Sequence, residues 1–452
     1  MKNDNKKNYQ TTIKTNNALY EMVCDQAAGK TSFVKVGPDG SIKKGLYEVQ
    51  HQGETYIPIP VGHQYITSGA LRLSTQPEPH GGVLSLFVDI CSHIHKYVDL
   101  SPEFEKVAAN YVLMTWLYDK FNQVPYLRVI GDYGSGKSRF LETVGGICYK
   151  ATITGGASSM SSDFRMIDAF KGTFVIDEAD MSYSDKTSDM VKLLNLGYQR
   201  GGNIMRTEGE RVYDVKVHDV FCPKIVAARE PFRDRALESR FLTEEMGVLN
   251  VRPDIPYVLE NSFYEEARSL RNRLLQWRLE NYFKPMNLEV IRLDGIHPRL
   301  NQIIIPLLSV LPDKETQQGL IDFVTLYNES IVEDQAASLE GQIVRVVDEM
   351  ARSCPDDGVL SIKEITKRVN KEHGVADQIK ERSIGHYLSK KLLLKTKRLR
   401  DGTVLSPFSN KKKLQILRRR YGVGEHVNVV SVAKAEGTSA TIVSFSNDLG
   451  HQ

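Results

Sequence analysis

The sequence predicts an α/β protein of several domains: a small β-rich N-terminal domain, a parallel-sheet core followed by helices, and a C-terminal three-helix domain with a β-hairpin. Three observations predict it. Tyr126 to Ser138, YLRVIGDYGSGKS, runs from an apolar strand pattern through a glycine loop into a helix start. Thr173 to Asp180, TFVIDEAD, is a second apolar strand pattern, and it ends in adjacent carboxylates. From Leu339 the pattern restarts with three amphipathic helix signals, followed by LLLKTKRLRDGTVL, a strand-turn-strand signal around Asp401-Gly402.

Taken in order, residues 1 to about 16 are polar and Lys/Asn-rich and are expected to fray. Thr31 to Pro60 alternates short β-type runs with turn signals at Gly37-Pro38-Asp39-Gly40 and Gly53-Glu54. His80, His93 and His95 have no matching carboxylate or thiol spacing, so no metal is predicted there. Ser101-Pro102 is a helix start, a hydroxyl cap with proline at the first helical position, and the stripe Val107, Tyr111, Met114, Leu117 and Tyr118 follows it.

The loop Gly131, Asp132, Tyr133, Gly134, Ser135, Gly136, Lys137, Ser138 reads G-x-x-x-x-G-K-S. Its glycines let successive backbone N–H groups turn onto phosphate oxygens, Lys137 adds a point charge for the β and γ phosphates, and Ser138 offers a hydroxyl to Mg²⁺. Asp177 stands 40 residues after Lys137; it is the second candidate metal ligand, and Glu178 would polarise the water that attacks the γ-phosphate. The cofactors called for are therefore ATP and Mg²⁺.

Met190 to Tyr198 is amphipathic, and Arg200 to Phe221 reads as two strands around Glu208-Gly209-Glu210. Lys224 to Ala228 is the next core strand, ending at Arg229, and Ala236 to Phe241, ALESRF, follows. Pro253 to Lys284 is helix-prone, and His297-Pro298-Arg299 opens an apolar helix from Leu300 to Leu311. The parts follow in the order phosphate loop, acidic strand, hairpin, polar-tipped strand and S-R-F, and the domains expected along the chain are 1–100, 101–252, 253–338 and 339–423, with a tail at 424–452.

Composition is that of an ordinary globular protein, 41% hydrophobic and 25% charged over 452 residues, long enough for about three domains. Five cysteines stand far apart without a C-x-x-C pair, which argues against a zinc module or a disulfide framework. No run approaches the roughly 20 apolar residues of a membrane span, so a cytoplasmic protein with no membrane partner is expected. The net charge of +3 hides a local excess: Lys380 to Arg420 holds fourteen Lys or Arg against Glu381 and Asp401, which leaves the rest of the chain acidic. That basic segment covers the third helix and hairpin of the C-terminal domain, a winged-helix order with DNA as its expected partner.

From about Asn110 to Met246 the chain resembles the AAA+ helicase core of minichromosome-maintenance and superfamily III type. It is most like the replication-initiator helicases of phages, pathogenicity islands and staphylococcal cassette elements. The resemblance implies a P-loop AAA+ core with a parallel sheet, a helical lid at 253–338 built from Pro253 to Lys284 and Leu300 to Leu311, and a hexameric, ATP-driven DNA helicase, bacterial or phage-encoded, acting on single- and double-stranded DNA. It also implies that Arg240 is an arginine finger reaching a neighbouring subunit's ATP, with Arg233 and Arg235 as rivals. Arg229 falls on the first sensor, where minichromosome-maintenance proteins usually have asparagine. Arg299 falls on the second sensor, at the nucleotide. The hairpin would grip DNA, through Arg206, Arg211 and Lys216 on its flanks. On the C-terminal domain the candidate DNA contacts are Arg382, Lys390, Lys391, Lys395, Lys397, Arg398 and Arg400. A P-loop signalling or defence ATPase that uses nucleotide as a switch, a primase-helicase, and a transposition or repair ATPase stay open as alternatives.

Overall fold

The polar start does not fray from residue 8 onward. In the computed structural model, which describes residues 8–155, 159–177, 185–207, 215–232, 234–247, 252–286, 292–311, 313–355, 358–371, 378–400, 402–423 and 432–433, Asn8–Gln10 pairs in parallel with Glu54–Pro58. Thr12–Thr15 opens a four-stranded antiparallel sheet with Ala18–Asp25, Lys30–Val36 and Ile42–Leu46. The reason is tertiary. Thr11 Oγ1 donates to the carbonyl of Phe170 at 3.0 Å, and the buried Lys150 ammonium donates to the Thr11 carbonyl.

Beneath these strands lies an ionic cluster that no periodicity announces. Glu21 and Arg278 are both fully buried and 2.9 Å apart, Lys150 reaches Glu21 at 2.7 Å, and Arg278 also holds Asp119 at 2.7 Å. Burial opposes the charge on Glu21, yet Lys150 and Arg278 outweigh it and hold its carboxyl below the usual range. Removing one partner of such a cluster would strand a buried charge, so these residues fasten the N-terminal strands to the core.

The core is a five-stranded parallel sheet in the order Phe241–Glu245, Tyr126–Ile130, Lys224–Ala228, Phe174–Ile176, Thr152–Thr154. Tyr126 stands beside both Phe241 and Lys224, and Phe174 beside Lys224 and Thr152. Its inner strands are buried along nearly their whole length, as parallel strands covered on both faces are. The helix Pro102–Trp116 starts as the sequence indicates, Ser101 Oγ accepting the Phe104 N–H at 3.3 Å. Its residues from Val107 to Trp116 are all buried, so it is an internal helix. Asn203–Thr207 and Val215–Asp219 form the antiparallel hairpin between the acidic strand and Lys224–Ala228; its expected turn lies outside the described residues. The helices Asn261–Asn281 and Pro298–Ser309 occupy the two stretches assigned to a lid.

The chain divides into two compact units, the first chiefly residues 1–323 and the second chiefly 324–433. In the second, helices Leu339–Arg352, Ile362–Lys371 and Glu381–His386 surround a core that includes Ile343, Val347, Ile365, Ile384 and Leu388. A three-stranded antiparallel sheet orders Leu360–Ser361, Gly402–Leu405 and Thr396–Leu399. A further helix, Lys411–Arg420, beyond the expected third helix and hairpin, closes the unit; Arg418 on it donates to the buried Asp348.

Candidate functional site

Because every strand of the core sheet runs the same way, all five carboxyl ends lie along one edge, the place where ligands bind in open α/β sheets. The glycine loop leaves Tyr126–Ile130 at that edge and turns into the helix Lys137–Thr143. The glycines are there for geometry. Gly134 and Gly136 hold φ of +81° and +94°, where a side chain is strained, and a Cβ on Gly131 would stand 2.5 Å from the carbonyl oxygen of Met246. Gly131 N–H donates to Ala228 O at 3.3 Å, and Met246 N–H to Ile130 O at 2.7 Å, so both neighbouring strands brace the loop.

Lys137 Nζ bends back to the carbonyls of Gly131 and Asp132 at 2.6 and 2.7 Å, which places its ammonium at the mouth of the loop. Ser138 Oγ donates to Asp177 Oδ2 at 2.9 Å, and Asp177 N–H is held by Thr154 O at 3.0 Å. Ser135 Oγ is buried without a hydrogen-bond partner among the described residues. A hydroxyl and a carboxylate side by side are hard oxygen donors, and a glycine cradle with an ammonium over it suits phosphate oxygens. These residues therefore fit a nucleotide phosphate and Mg²⁺. Tyr133 projects from the loop, 96% exposed. Glu178 lies outside the described residues. Arg229, exposed, directly follows the carbonyl of Ala228 that accepts from Gly131.

Arg240 and Arg299 are elsewhere. The Arg240 carbonyl accepts from Tyr126 N–H at 2.9 Å, at the amino end of the strand whose carboxyl end carries the loop. The residue is 7% exposed; its guanidinium lies 4.3 Å from the centre of the Tyr198 ring and donates to Asn195 and to the Ala236 carbonyl. Arg299 stands over the same ring at 5.4 Å and donates to the Tyr198 hydroxyl at 3.1 Å. The two arginines thus converge on Tyr198, at the edge opposite this chain's own phosphate loop. Arg299 is not brought to Lys137, contrary to what a nucleotide contact within one chain would need. Of the rival fingers, Arg235 is exposed and Arg233 lies outside the described residues.

Sequence reasoning missed the residues that set this edge. Arg128, in the middle of the phosphate-loop strand, makes a two-point ion pair with Glu238 of ALESRF at 2.6 and 2.5 Å and lies over the Phe241 ring at 4.7 Å. The charge inside YLRVI was the available signal. Asn195 and Tyr198 carried none, since both read as parts of an amphipathic helix.

On the hairpin, Arg206 faces the Phe164 ring at 5.6 Å and Asp189 at 3.4 Å, Lys216 is exposed, and Arg211 lies outside the described residues. In the second unit Arg382, Lys390, Lys391, Lys395, Lys397, Arg398 and Arg400 are all exposed, which concentrates seven cations on one helix and the hairpin after it. The three early histidines are each engaged by protein: His80 with Glu280 at 2.9 Å, His95 with Glu105 at 2.8 Å, and His93 stacked on Phe263 at 5.3 Å. None of the described helices is long and apolar enough to cross a membrane.

No protein-family model matches the chain, and no curated protein matches it in sequence. Solved structures similar to it include the apo C-terminal region of NrS-1, 10% identical with a TM-score of 0.33 over 86% of this chain and 96% of that one. A full-length MCM homolog from Methanopyrus kandleri is 11% identical with a TM-score of 0.38 over 71% and 75%. The JCV helicase is 14% identical with a TM-score of 0.25 over 56% and 64%.

Proposed function

We propose that this chain is an ATP-driven DNA helicase of AAA+ type, working as a hexameric ring and holding duplex DNA through a C-terminal winged-helix domain, as a replication initiator of a phage or mobile element would. The observation that carries the reading is the division of one parallel sheet between two edges. Gly131–Ser138 and Asp177 form a phosphate and cation site at the carboxyl edge, and Arg240 and Arg299 gather at the amino edge. An arginine pair that cannot serve its own loop suits a neighbour's.

Bound ATP supplies the phosphoanhydride whose cleavage drives movement. The residues have separate tasks. Backbone N–H groups and Lys137 hold phosphate oxygens, Ser138 and Asp177 hold Mg²⁺, Glu178 orients the attacking water, and Arg229 at the tip of the adjacent strand senses the γ-phosphate. Arg240 and Arg299 stabilise charge developing at the site of the adjacent protomer. The hairpin, carrying Arg206, Arg211 and Lys216, grips the translocating strand, and the C-terminal cations meet duplex phosphates.

The test is ATP hydrolysis with and without single-stranded DNA, beside strand displacement from a forked duplex. Stimulation together with displacement is the expected result. Hydrolysis indifferent to DNA, with no strand released, would replace this reading with a nucleotide-dependent switch of the signalling or defence kind.

A further inference from the structure

A cleft of about 790 Å³ opens where the N-terminal strands meet the amino edge of the core sheet, at the root of the hairpin strand Val215–Asp219. Phe170, Lys171 and Phe221, which precede core strands, are in its wall, so it faces away from the phosphate loop. Of the residues given a role above, it includes Lys216.

Its lining combines ring faces with cations. Tyr9 is 56% exposed, and His63 stacks on Tyr65 with ring centres 5.1 Å apart. Among the described residues of the lining, Lys14, Arg165, Lys171, Arg200 and Lys216 outnumber Asp119, Asp168 and Asp219. The carboxylates are already satisfied. Asp119 is held by Lys14 at 2.6 Å and by Arg278, and Lys171 reaches Asp168 at 2.7 Å and Asp219 at 3.2 Å. Arg200, by contrast, donates to the main-chain carbonyls of Asp119 and Phe121 at 2.6 and 3.1 Å and lies over the Phe221 ring at 5.5 Å, neutral partners that leave its positive charge in the cleft.

We propose that this cleft binds a segment of single-stranded nucleic acid, with Tyr9 and the His63–Tyr65 pair stacking bases and Arg165, Arg200 and Lys216 holding phosphates. A duplex keeps its bases stacked inward and offers these rings no face, whereas an unpaired strand offers both a base face and a phosphate at each step. The proposal deepens the helicase reading, since it gives the strand gripped by the hairpin a second resting place.

The test needs no hydrolysis. The full chain is cross-linked to a 5-bromodeoxyuridine oligonucleotide, and the affinity of Tyr9→Ala/Arg165→Gln for oligo(dT) and oligo(U) is compared with that of the unaltered chain. Both substituted side chains are exposed, and the melting temperature checks that the variant folds. Expected are cross-links in peptides containing Tyr9, His63 or Tyr65 and an affinity lower by about tenfold, the size of losing one stacked base; whichever oligonucleotide shows the loss identifies DNA or RNA as the strand. Cross-links confined to residues 339–423, or unchanged affinity for both oligonucleotides, would overturn the proposal. If forked duplexes are not unwound but the variant still loses single-strand binding, the helicase reading fails and the cleft stands.

Discussion

Lys137 is delivered to the mouth of its loop by two carbonyls of that loop, so its charge is positioned by geometry that substitution leaves intact. Lys137→Ala should abolish binding of a fluorescent ATP analogue without a change in melting temperature. Glu178→Gln should still bind the analogue while hydrolysis falls about a thousandfold or more, the loss of a group needed only in the transition state; near-normal turnover would remove Glu178 from that role. A different residue sets a pH dependence. His93 is 4% exposed between Phe263 and Tyr97, and burial, opposed by Glu266, pushes its pKa from 6.5 to about 4. Its folded form therefore refuses a proton that the unfolded chain accepts, so the stability present above pH 6.5 is lost as the pH falls toward 4. Between pH 7 and 5 that loss is about 2 kcal/mol by urea melts, and His93→Phe should lack most of it.

Among the elements, the hairpin of the C-terminal unit depends on one amide. Asn410, 3% exposed, accepts the Lys395 N–H at 2.7 Å and donates to the carbonyls of Lys395 and Ser406 at 3.0 and 2.9 Å, standing in for a strand neighbour. Asn410→Ala would leave those groups unmet, at a cost of about 1–3 kcal/mol. The check is hydrogen exchange: protection of the Lys395 amide should fall while that of the helix Leu339–Arg352 holds. Duplex affinity should fall too, although no charge is removed. Lys397→Ala/Arg398→Ala should instead reduce the salt slope of duplex binding by roughly two, near one per phosphate contact. The hairpin itself was legible because alternation and Asp401-Gly402 are local signals, and the glycine loop because its tight turn forces glycines into fixed positions of a short consecutive pattern. The strands at Asn8–Thr15 were not, since their cause is Lys150 and Phe170, far along the chain. Nor was the Glu21–Arg278 pair, for a charge that will be buried looks in sequence like any other.

At the scale of the whole molecule, the two ends of one strand keep apart things that the proposed hydrolysis must bring together. The phosphate loop follows Ile130, and Arg240 is tied to Tyr126, with the Tyr198 ring holding it beside Arg299. If both arginines act across a subunit boundary, no chain completes its own site, and hydrolysis belongs to the assembly. Arg240→Ala alone and Lys137→Ala alone should then be inactive for different reasons, one lacking a finger and the other unable to hold nucleotide. Mixed rings restore some junctions in which the intact loop of an Arg240→Ala subunit meets the intact arginine of a Lys137→Ala subunit, so partial ATP hydrolysis should return on mixing. Arg299→Ala mixed with Lys137→Ala should behave alike, because Arg299 shares the Tyr198 ring. A double variant carrying Arg240→Ala and Arg299→Ala should be complemented no better than Arg240→Ala alone. Confirmed mixed rings without any return of hydrolysis would assign the finger to another arginine, and the exposed Arg235, which opens the short helix just before Arg240, would be the next to change.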